Sequence, residues 1–158
     1  VGNGKIYLSD INPKRLEEIK ERFPQVELVA PESIHALDVD VFSPCALGGI
    51  LNAKTVKELK AKVVVGGANN QLAKNNVGDT LFAKGILYAP DYIVNAGGLI
   101  AVYDEYEHPD TYEADRVREK VLHIPRTLEA IFKESHEKMQ APHRIANDMA
   151  ERIFNAYE

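Results

Sequence analysis

Two glycine-rich segments that carry side-chain amides are the residues best able to do chemistry in this chain. Residues 66–72 contain Asn69 and Asn70, and residues 95–98 begin with Asn95, about one βα unit later. Amides donate and accept hydrogen bonds without charge, and glycine lets a ligand approach the backbone closely. Because strand ends line the ligand crevice of an open α/β sheet, the pair predicts a cofactor and substrate edge.

A parallel α/β sheet is the fold that positions these turns. Strands alternate with helices, and the strands are nearly continuous apolar runs, as expected when helices cover both faces. Asn12 and Pro13 predict a helix start, and Gly85 predicts a helix end. We therefore predict a Rossmann-like, doubly wound parallel sheet. Its strands cover residues 5–10, 26–29, 39–42, 62–65 and 86–88, with a short extended segment over 92–94 and helices starting near 31, 52, 79 and 95.

The last third of the chain is predicted to be helical. Apolar residues recur every three or four positions from Val117 to Phe132, and Pro125 is expected to kink or split that helix. A final helix follows Pro142. The apolar stripe most simply packs into a core, and a subunit interface is the alternative. We expect a partial dinucleotide-binding domain over residues 1–112, followed by C-terminal helices over 113–158 that pack on it.

Composition narrows the class of partner. The chain has 158 residues, a formal charge of −5 and no Lys/Arg cluster, which argues against nucleic acid or an anionic membrane surface. No apolar run approaches the roughly 18 residues that span a bilayer. A single cysteine rules out an internal disulfide and fits a reducing cytoplasm. We expect a cytoplasmic protein that binds small molecules.

The first strand of the chain ends on an acidic residue, Asp10. In a dinucleotide-binding unit, a carboxylate at the end of the second strand accepts hydrogen bonds from the adenosine ribose. The glycine-rich phosphate turn that should precede it is missing, because residues 2–4 lead into a strand and fit a hairpin or an opening turn better. The sheet is therefore expected to be incomplete at its N-terminus, with unpaired edges that favour self-association.

Each of these residues also has a purely structural interpretation. Asp10 can simply cap the following helix, although Asn12 is better placed for that role. Asn69 and Asn70 can form a polar turn, and Asn95 can be the N-cap of the next helix. The lone cysteine, Cys45, is either a small buried apolar residue or part of a pocket lining, since no nearby base activates it as a nucleophile.

Other polar groups carry no prediction of chemistry. Residues 104–107 most simply form a solvated acidic face or a helix end. The five histidines lack the spacing of metal ligands and fit surface or helix-packing roles; they are His35, His108, His123, His136 and His143.

Four blocks of the chain together resemble the amino-acid dehydrogenase family of glutamate, leucine, phenylalanine and valine dehydrogenases, most closely its leucine-specific members. The resemblance covers nearly the whole chain in order, and it rests on residues 10–12, 43–49, 66–72 and 88–98. It implies the C-terminal NAD-binding domain of an enzyme that reversibly deaminates an L-amino acid, leucine or another branched-chain one, to a 2-keto acid and ammonia.

The resemblance also assigns roles to single residues. Asp10 would hold the adenosine ribose, Asn95 the nicotinamide carboxamide or its ribose, and Asn70 would face the amino or carboxylate group of the substrate. The full set of implied cofactor contacts is Asp10, Cys45, Ala46, Ala68, Asn69 and Asn95.

The family's N-terminal substrate domain, with its catalytic lysines and aspartate, is not represented in these residues. We therefore expect no catalytic residue and no metal site in this chain, no turnover by the chain alone, and assembly into a homo-oligomer. The competing hypotheses are a non-catalytic dinucleotide-binding or interaction module and a fragment of a phenylalanine or glutamate dehydrogenase.

Overall fold

A computed structural model describes residues 4–156 of the chain, so Gly2 and Asn3 of the predicted opening turn lie outside the described residues. Strands and helices alternate up to residue 94, and helices follow. The strands are β1 (Tyr7–Leu8), β2 (Glu27–Leu28), β3 (Val41–Phe42), β4 (Val63–Val64) and β5 (Leu87–Tyr88). The helices are α1 (Pro13–Arg22), α2 (Thr55–Glu58), α3 (Asn75–Ala83), α4 (Asp91–Val94), α5 (Gly97–Glu107), α6 (Ala114–Val121), α7 (Ile124–Lys138) and α8 (Pro142–Asn155), with a 3₁₀ turn over Ile34–Ala36.

All paired strands are parallel, which confirms the predicted α/β class. β1 pairs with β2, and β4 lies between β3 and β5. The expected single sheet is thus divided into one sheet of two strands and one of three. No helix among residues 4–156 is long and apolar enough to cross a membrane.

The main core lies under the three-stranded sheet. Val64 of β4 is fully buried, and Leu81 of α3 and Tyr88 of β5 pack in the same cluster. Lys84 fastens α2 to α3, because its Nζ donates to the carbonyl oxygen of Val56 at 2.6 Å. Gly85 ends α3 with φ +71°, a conformation that glycine adopts without a steric penalty. These contacts fix the strand ends that follow.

Segment 92–94 was predicted to be extended, and that prediction is wrong. Its residues form most of α4, in which the N–H groups of Ile93 and Val94 donate to the carbonyl oxygen of Pro90. Pro90 is the N-cap residue of α4 and Asp91 lies in its first turn, where an acidic side chain suits the N-terminus of a helix. Ile93 packs against the buried Ile131 and Ile145 of α7 and α8, so tertiary packing outweighs its β propensity.

Residues 104–107 form the end of α5, which confirms the helix-end alternative, but the prediction of a solvated acidic face is wrong for Asp104. Its side chain is fully buried, and Arg116 Nε and Lys120 Nζ donate to it at 2.9 and 2.7 Å. Hydrogen bonds from Arg116 and then Lys120 hold the pKa of Asp104 far below its ordinary value. The carboxylate is therefore the link between α5 and α6.

The C-terminal helices follow the sequence pattern closely. Pro125 lies in the first turn of α7, so the long apolar stripe is split as expected. Val117 and Ile131 of this stripe are buried. Helix α3, however, begins at Asn75, four residues before the predicted start. Its asparagines and Gly78 have poor helix propensity, and packing against α8 compensates for it.

Candidate functional site

Three loops converge at the carboxyl edge of the three-stranded sheet. The first follows β3 (residues 43–49), the second follows β4 (residues 66–71), and the third follows β5 and runs into Asp91, the first residue of α4. The Ala68 N–H donates to the Pro44 carbonyl oxygen at 3.0 Å, and the Gly49 N–H donates to the Asn70 carbonyl oxygen at 2.7 Å. The first two loops are thereby held against each other.

Two glycines make this approach possible. A Cβ on Gly48 would lie 2.7 Å from the Asn69 carbonyl oxygen, and a Cβ on Gly66 would overlap the backbone of Pro44. Real Cβ atoms do not tolerate such contacts, so these positions require glycine for space. The sequence predicted that a ligand approaches the glycines of residues 66–72, whereas at Gly66 the neighbouring loop occupies the space.

The two amide-bearing segments meet directly. Asn95 Nδ2 donates to Asn69 Oδ1 at 2.6 Å, so residues 26 positions apart share one edge of the sheet. The alternative role of Asn95 as a helix N-cap is wrong, because Ala96 is the N-cap of α5 and Asn95 ends α4. The Asn95 side chain is therefore free of a capping role and contacts the loop after β4 through Asn69.

A buried carboxylate connects the third loop to the second. Asp91 Oδ2 accepts the Asn70 N–H at 2.7 Å, and Asp91 Oδ1 accepts the Tyr88 hydroxyl at 2.7 Å. These bonds hold Asn70 at φ 53°, a left-handed conformation that asparagine tolerates better than most residues. Burial, then the bond to Asp91, raises the pKa of Tyr88, which stays a donor.

Beside these loops lies a cavity of about 310 Å³. Its wall is made of amides, one carboxylate, one phenol, one imidazole and one aliphatic side chain. The Tyr92 hydroxyl lies 2.8 Å from Asn147 Oδ1, and burial raises the Tyr92 pKa to about 12. The lining residues are Asn69, Asn70, Leu72, Asn75, Asp91, Tyr92, His143 and Asn147.

Reasoning from the sequence missed several residues of this site, among them Gln71, Asn75, Asp91, Tyr92, His143 and Asn147. Gln71 is fully buried, and its Nε2 donates to the carbonyl oxygens of Gly66 and Ala68 at 2.7 and 3.0 Å, which shapes the turn from inside. Asp91, His143 and Asn147 come from other elements. The one available signal was the Pro-Asp pair at a strand end; nothing local links α8 to the site.

His143 packs between α8 and α3. A Cβ on Gly78 would collide with its ring, and its Nε2 lies 3.8 Å from Asp79 Oδ1. Burial lowers the pKa of His143. This confirms the helix-packing role that we expected for the histidines, at least for His143.

The other predicted site residues lie apart from this cavity. Asp10 Oδ1 accepts the Asn12 N–H at 2.8 Å in the turn after β1. Cys45 and Ala46 are exposed in the first loop, so the interpretation of Cys45 as a buried apolar residue is wrong. The Cys45 Sγ lies 3.5 Å from Ser43 Oγ. Ala68 is buried beneath the second loop.

A second, largely apolar cavity of about 650 Å³ lies along α5. Its walls come from α5 on one side and from the α6–α7 region on the other. Lys120 in this wall is already engaged with Asp104. The lining residues are Leu99, Ile100, Tyr103, Lys120 and His123.

Comparison with known proteins finds relatives over nearly the whole chain. A sequence model of the Glutamate/Leucine/Phenylalanine/Valine dehydrogenase family matches residues 6–156. The chain is 44% identical to an L-tryptophan dehydrogenase of Nostoc punctiforme over 154 residues, which cover 96% of this chain and 42% of that protein. It is 40% identical to a leucine dehydrogenase of Bacillus subtilis over 152 residues, which cover 94% of this chain and 41% of that protein.

The fold agrees as well. A crystal structure of L-tryptophan dehydrogenase from Nostoc punctiforme superposes with a TM-score of 0.90 at 42% identity, covering 96% of this chain and 44% of that one. The chain therefore spans about two-fifths of the length of these relatives.

Proposed function

Because this chain belongs to the glutamate/leucine/phenylalanine/valine dehydrogenase family of amino-acid dehydrogenases, we propose that it is the NAD-binding portion of such an enzyme. The observation that carries the proposal is the Asn95–Asn69 bond of 2.6 Å, which joins the two amide-bearing segments at one edge. A flat heteroaromatic amide such as nicotinamide needs fixed donors and acceptors at such an edge.

The residues present suit that cofactor. Gly67 has open space where a Cβ would stand, so a ligand can approach the backbone there. Asn69 and Asn95 present uncharged amides to the carboxamide, and Asn70 lies beside them to face the substrate. NAD supplies the chemistry of hydride acceptance when bound, whereas the protein supplies orientation and exclusion of water.

The proposed contacts extend over both sheets. Asp10, at the end of β1, is the proposed ligand of the adenosine ribose, and exposed Cys45 and Ala46 would lie along the ribose of the cofactor. Ala68 contributes through its position under the second loop rather than through a reactive group. In this proposal, residues 1–112 form the partial NAD-binding domain, and residues 113–158 pack on it and lead back toward a substrate domain.

The substrate class is an L-amino acid, which is oxidatively deaminated to a 2-keto acid and ammonia. The proposed substrates are leucine and other branched-chain amino acids, supported by the resemblance of residues 10–12, 43–49, 66–72 and 88–98 and by the similarity to a leucine dehydrogenase. The relative named for tryptophan makes an aromatic amino acid the alternative substrate. Comparison of leucine, valine, phenylalanine, tryptophan and glutamate in the whole enzyme decides between them.

Catalytic groups are proposed to lie in the rest of the enzyme, and the chain by itself is expected to be inactive. We propose the cytoplasm as the compartment, because the single cysteine is an exposed free thiol. We propose a homo-oligomer as the assembly, because α5 carries the exposed apolar residues Leu99, Val102 and Tyr106. Oxidation of L-leucine by the purified chain, with reduction of NAD, would contradict the expected inactivity.

Calorimetric titration with NADH tests the proposed binding. We expect Asn69→Ala and Asn95→Ala each to weaken the Kd about tenfold, because a bound amide loses its partner. Asn155→Ala is the matched control, since that asparagine is exposed at the end of α8. An unchanged Kd in both site variants, in protein that folds like the parent chain, would overturn the proposal.

The competing hypothesis of a non-catalytic module predicts the same NADH binding. The two differ when a matching substrate domain is supplied. Restored turnover supports the dehydrogenase, and saturable binding with no turnover of any amino acid in the assembled protein supports the module.

A further inference from the structure

Two carboxylates of the described chain are buried, and they differ in how their charge is compensated. Asp104 receives Arg116 and Lys120. Asp91 is 8% exposed, yet among residues 4–156 no basic side chain forms an ion pair with it. Its observed partners, the Tyr88 hydroxyl and the Asn70 N–H, are neutral donors.

Buried charges in proteins are normally paired or bind a cation, because leaving them uncompensated costs several kcal/mol. Asp91 lines the 310 Å³ cavity beside Asn69 and Asn70. A carboxylate has about four lone-pair sites, and the two observed donors use only part of them. The cavity therefore offers a negative charge with remaining acceptor capacity.

The rest of the wall favours a cation with N–H donors. No lysine or arginine is among its eight residues, so anions meet no counter-charge there. Asn70 and Asn75 add side-chain amide oxygens, which accept N–H donors. Asn147 Oδ1 already accepts the Tyr92 hydroxyl and has one further lone pair. No group of three or more His, Cys, Asp or Glu residues in the described part of the chain could hold a metal ion.

We propose that this cavity binds an ammonium group, with Asp91 as its counter-ion and the surrounding asparagine oxygens as hydrogen-bond acceptors. Two sources share this chemistry: the free ammonium ion and the primary ammonium group of an amino acid. The identification of these sources rests on the proposed function, in which an amino acid is consumed and ammonia is released. The binding site itself rests only on the cavity and its charge.

The test is a titration of the full 158-residue chain, labelled with ¹⁵N and followed by NMR at constant ionic strength. Ammonium chloride is the probe, and potassium and tetramethylammonium chlorides are the controls that carry the same charge without N–H donors. We expect a saturable shift of the Asn70 amide signal with ammonium only, since that N–H donates to Asp91.

Variants make the assignment specific. Asp91→Asn should weaken ammonium binding about tenfold or more, because a charged hydrogen-bond partner is lost. Asp110→Asn removes an exposed acid elsewhere and should leave the titration unchanged. Asn147→Lys places a tethered ammonium at the cavity and should abolish the response; it also serves where Asp91→Asn does not fold.

The outcomes separate the alternatives. Saturation by L-leucine at lower concentration than by ammonium identifies the amino acid as the source, and saturation by ammonium alone identifies the free ion. An equal response to potassium, a response that does not saturate, or an undiminished response in Asn147→Lys would overturn the site. If the chain binds NADH but shows no ammonium response, the ammonium site is overturned and the proposed function stands. If the chain does not bind NADH, that result counts against the proposed function instead.

Discussion

The two parallel sheets of this chain are packed very differently. The N-terminal unit, which we define as β1, α1 and β2 (residues 7–28), has one buried residue, Val26, and α1 buries none. The central unit, defined as β3 to β5 with α2 and α3 (residues 41–88), has ten buried apolar residues in one cluster. Both units have the same βα order, yet only one has a core.

This difference bears on function. Of the proposed nicotinamide contacts, Asn69 lies in the loop after β4 of the central unit, and Asn95 directly follows α4. Fixed geometry at such positions supports selective binding. The proposed ribose ligand, Asp10, lies at the end of β1 in the N-terminal unit. We infer that the reactive end of the cofactor is bound by the rigid unit and the adenosine end by the less buried one.

Removing one buried leucine tests the comparison with the largest expected effect. Leu81→Ala in α3 removes a fully buried side chain and should lower the free energy of unfolding by about 2–5 kcal/mol. Leu16→Ala in α1, a half-buried position, should cost about 1 kcal/mol or less. Urea denaturation followed by circular dichroism measures both. Equal losses would show that the two units are packed alike.

Filling the space over His143 tests the contact between the central unit and α8. Gly78→Ala forces a methyl group against the imidazole ring, and overpacking of this kind costs about 1–3 kcal/mol. Gly98→Ala is the matched control in α5, where a Cβ meets nothing within 4 Å; we expect a change within about 0.5 kcal/mol. Thermal unfolding compares the two variants, and a neutral Gly78→Ala would contradict this packing.

A charge-dependent contact joins the helices beside the central unit and should have the smallest effect. Hydrogen bonds from Arg152 and then Lys138 lower the pKa of Glu134 from 4.5 to about 2. A carboxylate with a depressed pKa stabilises the fold above its unfolded pKa, and this stabilisation is lost as the pH falls through the folded value.

We therefore expect the stability of the parent chain to fall between pH 4.5 and about 2 more steeply than that of Glu134→Gln. The measurement is urea denaturation at several pH values. Glu137→Gln, an exposed acid on the same helix, is the control and should keep the parent's pH dependence. Parallel curves for parent and Glu134→Gln would contradict the assignment.

The sequence predicted helix ends and breaks well where a single residue and its near neighbours determine them. Asn12 Oδ1 accepts the Lys14 N–H at 3.1 Å as the N-cap of α1, Gly85 ends α3 with positive φ, and Pro125 divides the apolar stripe. Each of these residues restricts the backbone or supplies a capping group within a few positions, so sequence alone carries the information.

The sequence predictions are wrong where residues distant in the chain determine the secondary structure or burial of a segment. Segment 92–94 has the composition of a strand, but the buried side chains of α7 and α8 hold Ile93 in a helix. Asp104 stands in a run of acids, but Arg116 and Lys120 from the next helix neutralise it in the interior. Helical periodicity does not predict a contact between Asp104 and residues 12 and 16 positions later in a different helix.

The candidate site shows the same division. The meeting of the amide-bearing turns could be predicted because they come after the parallel strands β4 and β5, whose carboxyl ends lie at one edge of the sheet. Asp91 could not be assigned, since its role depends on the Tyr88 hydroxyl and the backbone of Asn70. His143 and Asn147 come from α8, more than 50 residues after Tyr92.

Mapping NADH onto the amide signals of the ¹⁵N-labelled chain tests most directly that the amide-bearing loops bind a nicotinamide cofactor. We predict saturable shifts of the Asn69, Asn70 and Asn95 signals, with smaller ones at the turn that carries Asp10. Shifts confined to the apolar cavity along α5, or no saturable shift at these three asparagines, would contradict the account.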